Sequence, residues 1–96
     1  MKSQDIITCL QNQKAELQET YGVEKIGVFG SYATETYHKD SDVDIVVELK
    51  KPDLLALSGI KQKLEEALGK RVDIVRYRQK MNRMLKKQID AHARYV

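Results

Sequence analysis

The sequence predicts an α/β (α+β) fold in which a small mixed β-sheet is flanked by helices. Three observations lead there. Apolar residues recur at helical spacing in three separate stretches, and three short β-branched runs lie among them. All of this fits into 96 residues, enough for one domain spanning 1–96 and too few for two. Composition agrees: 42% apolar and 32% charged residues exclude general disorder. No apolar run approaches the roughly 20 residues that span a bilayer. The opening MKSQDIITCL lacks the apolar centre and small-residue cleavage site of a signal peptide. Cys9 has no partner for an internal disulfide, so the expected setting is the reducing cytoplasm, away from membranes.

Each element has its own signal. Between Ser3 and Tyr21, Ile6, Leu10, Leu17 and Tyr21 make one helical stripe, with Ser3 as the expected N-cap and Gly22 as the stop. Lys25-Ile26-Gly27-Val28-Phe29 reads as a short buried strand running into Gly30-Ser31. A helical turn and an exposed loop follow over Tyr32 to Ser41. Asp42 to Leu49 is the strongest strand, and Lys50-Lys51-Pro52 ends it. Leu57, Ile60, Leu64, Ala67 and Leu68 then mark a second helix stopped by Gly69. Val72 to Val75 is the third strand. From Gln79 onward, Met81, Leu85, Ile89 and His92 mark the closing helix.

Charge is unevenly spread. Met1 to Gly69 hold eight Lys/Arg against twelve Asp/Glu, whereas Lys70 to Val96 hold nine against two. A basic closing segment suits phosphates or an acidic partner surface, and a solvated helix face accounts for it equally well.

Two features carry chemistry: Gly30-Ser31 and Asp42-Val43-Asp44, with ten residues between Ser31 and Asp42. Side chains alternate along a strand, so Asp42 and Asp44 project from one side while Val43, Ile45 and Val47 face a core. Paired carboxylates repel and resist burial. A divalent cation removes that objection, and Mg²⁺ takes one or two carboxylates plus substrate phosphates. Gly30-Ser31 stands where a strand meets a helical turn; glycine admits a ligand close to the backbone, and Ser31 adds a hydroxyl. The division of labour is phosphate grip by Gly30-Ser31 and metal binding by the aspartates. Asp-x-Asp alone is commonplace in this composition. Gly-Ser at this one spacing before it arises in about one shuffled sequence per thousand.

GVFGSYATETYHKDSDVDIVVEL resembles the signature of the minimal nucleotidyltransferase family, relatives of the DNA polymerase β palm. Its Gly-Ser, ten-residue gap and Asp-x-Asp are met at Gly30, Ser31, Asp42 and Asp44. LEEALGKRVDIV is similar to the family's second helix and third strand, and NRMLKKQIDAHARYV to its closing helix. The resemblance implies a polymerase β-like palm binding ATP with Mg²⁺ at one or two sites. It also implies an antitoxin paired with a HEPN-domain ribonuclease toxin, transferring AMP to a toxin hydroxyl, that of a tyrosine. It implies that Asp73 completes the acidic triad as a metal ligand or as the base for the nucleophile. The strand alternation of Arg71-Val72-Asp73-Ile74-Val75 lets Asp73 face the other two. After Gly-Ser-x-Ala the family continues Arg-Gly, where this chain has Thr34-Glu35. The alternative expectation is therefore an antitoxin that neutralises by binding alone.

Other residues rank lower. His38 reads as a solvent-facing loop residue and His92 as packing on the apolar stripe of the last helix. Tyr32 and Tyr37 are surface residues that could stack on a base. Arg76 and Arg78 follow the third strand near the site, facing phosphate or a partner. No Cys/His cluster supports zinc, and Ser31 lacks the Gly-x-Ser-x-Gly elbow of a hydrolase. Without interleaved aromatics, the basic segment is not expected to bind a nucleic-acid substrate.

Overall fold

In the computed structural model, which describes all 96 residues, eight elements follow one another. They are α1 (Ser3–Tyr21), β1 (Val23–Phe29), α2 (Ser31–Thr34), β2 (Val43–Leu49), α3 (Leu54–Leu68), β3 (Val72–Arg76), α4 (Arg83–His92) and β4 (Arg94–Tyr95). The strands form one mixed sheet in the order β3-β2-β1-β4. β1 runs antiparallel to β2 and β4, and β2 runs parallel to β3. No helix is long and apolar enough to cross a membrane.

The alternation along β2 sorts the molecule into two sides. Val43, Ile45 and Val47 are fully buried with Ile6, Leu10 and Leu17 of α1 and Ile60 and Leu64 of α3. On the opposite face Val46 packs with Phe29 and with Ile89 of α4. α1 and α3 therefore cover one face entirely. α4 covers only part of the other, and the uncovered remainder carries Asp44 and Asp73.

Helix ends follow local chemistry. α1 and α3 stop at Gly22 and Gly69 as expected. Asp53 caps α3 by accepting from the Leu55 and Ala56 amides at 2.9 and 3.3 Å. Ser3 is not the cap of α1; that position falls to Lys2. The Ser3 hydroxyl is committed elsewhere, donating to the Tyr32 carbonyl at 2.7 Å and tying α1 to α2. α4 begins at Arg83, later than Gln79, because the Asn82 side chain caps it by accepting from the Leu85 amide at 3.0 Å. β4, absent from the sequence expectation, pairs Tyr95 with Gly27 and Arg94 with Val28.

Ser3→Ala removes the buried donor and leaves the Tyr32 carbonyl unpaired. The expected loss is about 1–2 kcal/mol, read as a lower urea midpoint with an unchanged slope.

Candidate active site

β1 ends at Phe29, and the next residue must turn the chain into α2. Gly30 does so at φ +70° and ψ −150°, a conformation that is nearly glycine's alone. Space imposes the same choice. A Cβ on Gly30 would lie 2.1 Å from Oδ2 of Asp44, so the carboxylate occupies the place where a side chain would stand.

Register brings the acidic residues together. Asp44 pairs with Phe29 across the antiparallel ladder and with Asp73 across the parallel one. Partners in a ladder share a face, so Asp44 and Asp73 stand side by side on the uncovered surface. Asp42 lies one residue before β2, not within it. The loop that delivers it is pinned: Lys70 Nζ donates to the Lys39 and Ser41 carbonyls at 2.9 and 3.3 Å. The Val43 amide also bonds the Arg71 carbonyl at 3.0 Å.

Asp44 is half-buried, and its pKa rises to about 6, chiefly through burial and further through the charges of Asp73 and Asp42. Both acidic neighbours expected from the sequence are thus close enough to act on it. No three ligating side chains are gathered into a closed cage. The all-oxygen donor set still fits Mg²⁺, which needs only one or two carboxylates beside substrate phosphates. A cation would also relieve the repulsion that raises the Asp44 pKa.

Gly30 and Ser31 open onto a second space. A cavity of about 310 Å³ is lined by these two residues with Thr34, Thr36, Gln88 and His92. His92 is exposed, in contrast to its expected packing role, because Ile89 and Leu85 take the apolar side of α4. Gln88 and His92 sit four residues apart on one helix face. That spacing is visible in the sequence, but the element they face is not.

Other expectations resolve differently. Tyr32 is buried and stacks on Tyr37 with ring centroids 4.3 Å apart, so Tyr32 is no surface platform for a base. Arg76 ends β3 and Arg78 lies beyond it, at the opposite end of the strand from Asp73. The Arg78 Nε donates to the Lys80 carbonyl at 2.9 Å. Neither arginine joins the site. His38 is exposed in its loop. The roomiest depression, about 540 Å³ and lined by Gln79, Met81, Arg83, Lys86, Lys87 and Asp90, shares no residue with the carboxylate site. Perturbed acidity and backbone constraint coincide at the carboxylates, away from this depression.

Thr34-Glu35 closes α2. Glu35 adopts the left-handed conformation at φ +60°, which explains why glycine suits this position. The strain is about 1–2 kcal/mol. Its carboxylate pairs with Arg94 at 3.7 Å, a surface contact contributing little.

A palm-like sheet with a glycine-serine turn beside paired aspartates defines a nucleotidyl-transfer class. The chain belongs to the nucleotidyltransferase domain family, whose profile matches residues 10–96. It is 45% identical over 73 residues to the protein adenylyltransferase MntA of Thermococcus cleftensis, covering 75% of this chain and 74% of that one. A crystal structure of a toxin–antitoxin with AMP-PNP is similar at TM-score 0.71 and 30% identity, covering 88% of this chain and 70% of that one. A chain in the solved structure of a tri-AMPylated Shewanella oneidensis HEPN toxin in complex with MNT antitoxin is similar at TM-score 0.61 and 26% identity, covering 97% of this chain and 66% of that one.

Two outcomes are expected. The folded pKa of Asp44 lies above its unfolded value, so its contribution to stability is complete below about pH 4 and is lost as pH rises through about 6. The full shift corresponds to about 3 kcal/mol, and solvent screening of a half-exposed group reduces it to about 1 kcal/mol. Asp44→Asn is therefore expected to stabilise the metal-free protein by about 1 kcal/mol at pH 7.5 and by far less at pH 4, measured by urea unfolding at both. Glu35→Gly relieves more strain than glycine's added chain entropy costs. A gain of about 0.5–1 kcal/mol is expected, seen as a higher melting temperature.

Proposed function

We propose that this chain is an antitoxin adenylyltransferase that takes ATP with Mg²⁺ and transfers AMP to a tyrosine hydroxyl of a cognate HEPN toxin. The observation that carries this reading is the half-buried Asp44, held against Gly30 and in register with Asp73. The relative named a protein adenylyltransferase, and the neighbours with AMP-PNP or an AMPylated HEPN toxin, support the same chemistry. The lone Cys9 suits a cytoplasmic setting.

In this reading Asp42 and Asp44 hold the metal, with Asp73 completing the acidic set. Mg²⁺, when bound, neutralises phosphate charge and orients the nucleotide. Asp73, the most exposed of the three aspartates, accepts the proton of the incoming hydroxyl. The hydroxyl oxygen bonds to the α-phosphorus, the bond to the β-phosphate breaks, and pyrophosphate leaves. Gly30 and Ser31 hold the departing phosphates. Positioning and charge neutralisation are most of what such a transfer requires. The acceptor comes from the partner; no nucleic-acid substrate and no membrane enter the scheme.

A second reading, neutralisation by binding alone, is favoured by Thr34-Glu35, where an acidic residue paired to Arg94 stands beside the phosphate turn. Replacing Asp42 and Asp44 together by Asn separates the two. The transferase reading expects AMP addition to fall at least a hundredfold by intact mass of the toxin, with the complex still forming. A double variant that protects cells as well as the wild type would establish binding alone.

A further inference from the structure

We infer that Gln88 and His92 of α4 form the outer wall of the nucleotide site and hydrogen-bond the terminal phosphates of the bound nucleoside triphosphate. This rests on the nucleotidyl-transfer reading and deepens it by assigning the polyphosphate tail to a particular cavity.

The cavity between α2 and α4 shares Gly30 and Ser31 with the carboxylate site. Gly30 therefore stands at the boundary, with Asp44 pressed against the position of its missing Cβ. A nucleotide whose α-phosphorus lies at the carboxylates has this cavity open to its β- and γ-phosphates. The lining chemistry agrees. It contains no carboxylate and no hydrophobic side chain, and it offers hydroxyls, a carboxamide and an imidazole. Such groups donate to phosphate oxygens. The nearby aromatic pair is spent, since Tyr32 and Tyr37 stack on each other.

Donor availability singles out α4. The Thr34 hydroxyl already bonds the Gly30 carbonyl at 3.3 Å and shares a bond with the Thr36 hydroxyl at 2.9 Å. Neither the Gln88 nor the His92 side chain makes a hydrogen bond or ion pair within the protein, whereas Lys86 and Asp90 on the same helix pair with each other at 3.9 Å. Both free side chains lie on one face of α4 and both line the cavity. They are exposed, so neither is needed for the core.

The test is NMR titration of the full chain with ATP and with AMP, both in excess Mg²⁺, reaching millimolar affinities. His92→Ala and Gln88→Ala should each raise the Kd for ATP about tenfold, the loss of one hydrogen bond to a charged phosphate. The Kd for AMP should stay within twofold. His92→Gln, which retains an N–H donor, should recover part of the loss, and thermal melting should match the wild type. Unchanged ATP affinity in both variants overturns the inference. Equal weakening of ATP and AMP also overturns it, because the cavity then holds the nucleoside. A wild-type chain that binds neither nucleotide overturns the nucleotidyl-transfer reading itself, and the inference with it.

Discussion

The site depends on one close contact, the Asp44 carboxylate lying where a Cβ of residue 30 would be. That contact exists only because β1 and β2 meet with Phe29 opposite Asp44. A slip of one residue would turn Asp44 to the helix-covered face and drive Val43, Ile45 and Val47 out of it. Those three valines and isoleucines, with no exposed surface, hold the register. The pattern that builds the core thus also aims the carboxylates, and the two cannot be varied separately.

Magnitudes show why the fold tolerates so much repulsion. Burying a Val or Ile side chain contributes about 1.5–3 kcal/mol, and β2 alone supplies four such residues. Against this, the charged Asp44 costs on the order of 1 kcal/mol once solvent screening is included. Asp73 stands exposed and keeps most of its hydration. Only the central carboxylate is partly withdrawn from water, and burial is the largest cause of its altered acidity. Acidic repulsion is thereby concentrated at one atom group, beside two residues that can share a cation with it.

Much of this was legible in the chain because the decisive signals are local. Strand alternation separates Asp44 from its buried neighbours, and it places Asp73 opposite Val72 and Ile74. Gly22 and Gly69 end helices by backbone geometry that sequence reading captures. The remainder depended on distant partners. Ser3 looks like a cap until Tyr32, 29 residues away, takes its hydroxyl. β4 is two residues long, too short for any period to show. His92 falls on the nominal apolar stripe of α4, yet the helix begins at Arg83 and settles with Ile89 inward. Arg76 and Arg78 seemed near the site by sequence, but a strand carries its two ends far apart.

The pairing of β4 with β1 fixes one edge of the cavity between α2 and α4. Gly27 lets the two backbones meet closely; a Cβ there would sit 2.7 Å from the Arg94 carbonyl oxygen. Only Ala93 separates β4 from His92, and its amide still bonds the Ile89 carbonyl at 2.9 Å. The last turn of α4 is therefore moored to the sheet within two residues of the cavity it lines. While the β1–β4 bonds persist, the C-terminal turn of α4 keeps its place beside the sheet. The edge of the gap at His92 is thereby set by the sheet itself and follows the β1–β4 register.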